Sequence, residues 1–161
     1  MSVALYSSIW GALALFVLAQ HGRRHAPAPQ WAAAADTIGL VLCLLHIVLA
    51  MGVVHHWSHA AAVRATAAQT AAVYGLNWGG GVYVNYLFVL VWTLDAWLSR
   101  RRDWLSDAPP GRWAIRFFYA VVIVNAAVVF ARGSMRMAGL ALVASLLFAW
   151  RQTPSSSIVV R

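Results

Sequence analysis

Lysine and glutamate are both missing from this chain, and its only acids are four aspartates set against twelve arginines. Charged residues make up 10% of the sequence, where a soluble domain carries about a quarter. Without glutamate there is no general base for the H-E-x-x-H chemistry of zinc peptidases, and neither a P-loop nor a G-x-S-x-G elbow occurs. Cys43 is the single cysteine, which excludes an intramolecular disulfide and any zinc site built on several thiolates. Whether the protein is an enzyme is left open, since no catalytic set is recognisable.

In place of charge the chain has apolar runs: 62% of residues are hydrophobic and the mean hydropathy is +0.70. This composition makes lipid the main solvent. A net charge of +8 and a pI near 11.1 would suggest nucleic acid for a soluble protein. Here the arginines fall between apolar runs, where they act as topology signals, so nucleic-acid binding is set aside.

The fold class expected is an all-α polytopic membrane protein in one helical-bundle domain, 1–152, followed by a flexible tail over 153–161. Five spans are predicted, at about 3–20, 37–56, 79–99, 113–131 and 137–150, each near the length that crosses a bilayer. The first run is read as a retained helix, because Arg23 and Arg24 follow it, whereas a signal peptide carries its positive charge in front. Gly22 to Gln30 is a proline-punctuated loop, and Asp36 is placed to N-cap the second helix. Asp107 to Arg112, with two prolines and a glycine, reads as a turn. No internal repeat is evident.

With the N-terminus outside and the C-terminus inside, nine arginines collect on the inner side, and only Arg64, Arg132 and Arg136 lie outside. That bias fits the positive-inside rule and a bacterial cytoplasmic membrane. Trp57, Trp78, Trp104, Trp113 and Trp150 fall near span ends, as an aromatic belt requires.

Four of the six histidines lie between His46 and Gly81. The second helix is expected to be extended or followed by an Ala-rich outer interfacial helix, and if it continues unbroken to Ala72, then His55, His59, Thr66, Gln69 and Thr70 share one face within an arc of roughly 100°. His55 and His59 at i and i+4 have the spacing of a copper or zinc pair, and His56 joins them if the helix is distorted. The bland alternative is that histidines at a membrane boundary sit among headgroups. Haem b is a further version of the site. It needs an axial ligand from elsewhere, such as Met135 or Met137, or from a second copy in a homodimer.

A second constellation is intramembrane. His46, Asn85 and Asn125 lie at similar depth and can form one hydrogen-bonded cluster, with Ser7 or Ser8 joining. Trp78, Gly79, Gly80 and Gly81 open the third span, and with Tyr83 and Tyr86 as walls they suggest a pocket mouth. At the opposite end Asp95, the one acid within a span, is expected to pair with Arg116 and clamp two helices.

Two functions follow from these residues. One is a small membrane protein with an outward-facing histidine site for a transition metal or haem, in redox or metal handling. The other is a non-catalytic accessory subunit of a larger membrane complex. A carrier fits less well, since five spans do not divide into inverted repeats.

Overall fold

A computed structural model describes residues 3–25, 27–100 and 109–151. It is all helical: α1 (Val3–Gly22), α2 (Gln30–Leu49), α3 (His59–Tyr74), α4 (Gly81–Ser99), α5 (Pro109–Val124) and α6 (Ser134–Arg151). Two π turns, Ala50–Val54 and Asn125–Val129, prolong α2 and α5, and no strand occurs among the described residues. Four helical stretches are long and apolar enough to cross a membrane: Val3–Gly22, Gln30–Val54, Gly81–Ser99 and Gly111–Val129. The expected membrane character thus stands. The tail at 153–161 lies outside the described residues, as do Trp104 and Asp107.

The long helices pack in a closed order, α1 against α2, α2 against α4, α4 against α5, α5 against α6, and α6 back against α1. Each has apolar residues on most faces, so hydrophobicity alone does not choose neighbours in lipid. Side-chain fit does. The middle of the ring is filled by Phe16, Phe88, Trp92 and Tyr119. Phe16 meets Trp92 edge-on at 5.0 Å and Tyr119 at 4.9 Å, and Phe88 meets Tyr119 at 5.7 Å. Such ring pairs add about 0.5–1.5 kcal/mol each beyond area burial.

α6 runs antiparallel to α5 over its full length. Gly139 meets Ala127 near one end, and the Trp150 carbonyl meets Arg116 at the other.

Two sequence expectations are corrected. α2 starts at Gln30, behind an extended Pro29, because the alanines at 32–35 are strong helix formers. Asp36 is therefore not a cap but a buried residue inside the helix. α5 starts at Pro109, so the turn expected up to Arg112 is already helix. Proline is tolerated in a first helical turn, where its missing N–H has no acceptor to lose.

Of the two courses expected beyond the second span, an extended helix or a separate Ala-rich helix, the structure takes the second. After the π turn, His56 and Trp57 take positive φ (49° and 59°), a conformation that non-glycine residues adopt at a cost. Trp57 folds back so that its ring lies over Gly52. Ser58 then caps α3, its hydroxyl accepting from the Ala61 amide at 3.2 Å.

Candidate functional site

The break sends α3 across one end of the ring as a roof. Its amino end rests on α4 through glycine. A Cβ on Gly79 would stand 2.6 Å from the Val63 carbonyl, and one on Gly81 would stand 2.9 Å from Thr66. The glycine run is thus a close-approach device for two backbones. Its carboxyl end is tied to α5, where the Tyr74 hydroxyl donates to Asn125 Oδ1 and the Tyr74 ring meets Phe130 edge-on at 6.2 Å. Asn125 opens the second π turn and donates back to the Val121 carbonyl at 2.8 Å.

Removing the Tyr74 hydroxyl should release only this end of the roof. Tyr74→Phe is expected to cost about 1 kcal/mol locally. Amide exchange read by mass spectrometry should quicken over the last turns of α3 and leave α1 unchanged.

At the other end of the roof, His59 lies among tyrosines of α4. The Tyr83 hydroxyl is 3.3 Å from His59 Nε2 and the Tyr86 hydroxyl 3.4 Å from Nδ1. The imidazole stacks on Tyr86 (24°, 6.1 Å) and meets Tyr83 edge-on at 5.5 Å. All three residues are exposed.

The expected polar stripe is not formed. His59 begins α3, while His55 and His56 lie in the turn before it. Thr70 is buried and donates to the Thr66 carbonyl at 2.9 Å, and Gln69 is exposed. Among the described residues no group of three or more His, Cys, Asp or Glu could hold a metal. Trp78 is exposed and folds over Gly80. Met135 and Met137 are exposed at the start of α6.

The intramembrane cluster divides as well. His46 turns to α1, where its Nδ1 stands 3.0 Å from the Leu5 carbonyl and 3.4 Å from Ser8 Oγ. Because a carbonyl only accepts, Nδ1 carries the proton. Ser7 is exposed, so of the two serines only Ser8 joins. Asn125 belongs to Tyr74.

Asn85 stands apart. It shares the α4 face of buried Val82, Phe88 and Trp92, yet is itself exposed. Asn85 is thus an exposed amide between buried Val82 and buried Phe88.

The opposite end of the ring is closed by charge. Arg23, in the turn after α1, donates to Asp36 Oδ2 at 2.5 Å and to Asp95 Oδ2 at 2.6 Å. The Trp92 indole donates to Asp36 Oδ1 at 3.2 Å, and the Tyr119 hydroxyl donates to Asp95 Oδ2 at 3.3 Å. Gly39 lets the Trp92 ring reach α2, since a Cβ there would lie 3.1 Å from it. Burial by itself would lower the Arg23 pKa, but Asp95 and Asp36 outweigh it and the net shift is upward.

Arg116 is thus not the partner of Asp95. It donates to the Trp150 carbonyl at 3.4 Å and lies over the rings of Trp113 and Trp150, at 5.7 and 5.8 Å. Pairing by depth in the sequence selected the wrong arginine, because depth carries no information about direction around a helix. The usable signal was a second aspartate, Asp36, at the same depth as Asp95.

Comparison with protein-family models, with curated proteins and with solved structures finds no match for this chain.

Proposed function

We propose that the protein is a five-pass membrane protein, N-terminus outside and C-terminus inside, whose outer end binds a metal-bearing ligand at His59. Arginine asymmetry supports the orientation, and the packing of α6 antiparallel to α5 and parallel to α1 supports a fifth pass. The inner end is closed by the Arg23 latch. The outer end is roofed by α3, and Asn85 is exposed there.

The observation that carries the binding reading is the His59, Tyr83, Tyr86 group. It gathers one imidazole and two phenols on an exposed face of α3 and α4. Contacts of 3.3 and 3.4 Å are at the long limit for hydrogen bonds and are readily exchanged for a ligand. One nitrogen with phenol oxygens does not fit a closed structural zinc site. It fits an open site on a copper or iron centre, haem b included, that brings its other ligands with it. The redox or metal-handling role follows from that ligand class. Because His46 faces α1, a haem shared between two copies of α2 is not favoured.

Purified protein should carry a visible absorbance band or stoichiometric copper or iron that is lost in His59→Ala and kept in His56→Ala. Colourless, metal-free wild type that takes up neither added metal nor haemin would overturn the proposal.

An accessory-subunit role is the second reading. Trp57, Leu76 and Trp78 favour it, as large side chains left exposed around the roof. It predicts that a partner co-purifies in mild detergent and is lost when these three are changed to serine.

A further inference from the structure

Nine of the twelve arginines belong by sequence to the end closed by the latch, and so do all four aspartates. Nine arginines against four aspartates give that end of the sequence a net positive charge. The two described aspartates are both held by Arg23. That excess of positive charge attracts anions from outside the chain.

Arg112 and Arg116 are the pair best placed to receive one. They lie one turn apart in the first two turns of α5, so each raises the positive potential at the other. The opening of a helix adds partial positive charge of its own. Arg116 is also fixed in direction by the Trp150 carbonyl and two indole rings, so little side-chain freedom is lost on binding. Beside them the apolar surface is bare: Trp113 is 63% and Phe117 72% exposed. Cations that adjoin exposed aromatic rings, where a helix enters the bilayer, match a phosphodiester headgroup with its acyl chains.

We propose that Arg112 and Arg116, flanked by Trp113 and Phe117, form a binding site for the headgroup of an anionic phospholipid. This rests on the membrane-spanning reading of α5 and is independent of the ligand at His59.

The test uses the full-length protein in a mild detergent. Thermal midpoint and binding are followed during titration with cardiolipin or phosphatidylglycerol, with phosphatidylcholine and with inorganic phosphate. The anionic lipids should raise the midpoint saturably, and phosphatidylcholine and phosphate should not. Arg112→Gln should weaken the anionic lipid about fivefold, and Arg112→Gln with Arg116→Gln by a further fivefold or so. Arg64→Gln, at the other end, should have no effect.

Should the double variant fail to fold, Arg112→Gln with Arg116→Lys keeps the charge of Arg116 and removes its fork, and it should still bind more weakly than Arg112→Gln. Equal response to phosphatidylcholine, a response to phosphate alone, or variants that bind like wild type would each overturn the site. None of these outcomes touches the reading at His59. Protein that stays in solution without detergent would instead overturn the membrane reading.

Discussion

Arg23→Ala should leave little folded protein. The substitution removes the one cation between Asp36 and Asp95 and leaves two carboxylates facing each other inside the bundle. Breaking a buried pair by deleting one partner costs about 3–5 kcal/mol, because the remaining charge has lost its partner. Total stability of a domain is only about 5–15 kcal/mol, so this single change consumes much of it.

The loss should appear as aggregation in fluorescence-detected gel filtration and as a large drop in thermal midpoint in detergent. Arg23→Lys should retain part of the stability, since an ammonium supplies the charge but cannot fork to both acids as a guanidinium does. Arg23→Ala combined with Asp36→Asn and Asp95→Asn should be more stable than Arg23→Ala alone, because the uncompensated charges are gone. If Arg23→Ala melts within about 1 kcal/mol of wild type, as loss of a surface pair would, the latch is not structural.

Gly139→Ala should be nearly as damaging, for a steric reason. A Cβ on Gly139 would stand 1.8 Å from the Ala127 carbonyl oxygen. A tolerable carbon to oxygen contact is about 3.3 Å or more, so α6 and the π turn of α5 would have to separate by roughly 1.5 Å. Overpacking of this kind commonly costs about 1–3 kcal/mol, and more where backbone must move. α6 also borders α1, through Trp150 to Gln20 at 3.1 Å and Ser145 to His21 at 3.0 Å, so the displacement would spread.

Gly133→Ala is the comparison. It has open space but φ +58°, and its expected cost is the roughly 1–2 kcal/mol of left-handed backbone alone. Circular dichroism melts of both variants in one detergent would rank them. A Gly139→Ala midpoint above that of Gly133→Ala would contradict the close approach.

The two ends of the molecule differ in how far they could be read from the chain. The glycine run was legible as a close approach, because only glycine serves there. Tyr83 and Tyr86 follow that run on one helix, and the structure sets both against His59. The expected pairing of His55 with His59 failed for a local reason. Nothing in His55-His56-Trp57 forbids a helix, and the two positive φ values accompany the fold of Trp57 onto Gly52 and the seating of α3 on α4, both tertiary contacts. The polar trio of His46, Asn85 and Asn125 failed for a directional reason, since equal depth does not imply a shared face.

What the sequence determined alone was the membrane-spanning character of the helices and, closely for α1 and α4, where they run. In lipid each span must satisfy its own backbone hydrogen bonds over a fixed thickness, a requirement written in consecutive apolar residues. Which arginine closes the bundle, which tyrosine meets His59 and whether Asn85 is exposed were decided only by the tertiary structure. Those outcomes depend on the rotation of each helix about its axis. Rotation is set by the mutual fit of side chains from several helices, here Trp92 over Gly39 and Gly139 on Ala127, and not by any one run of residues.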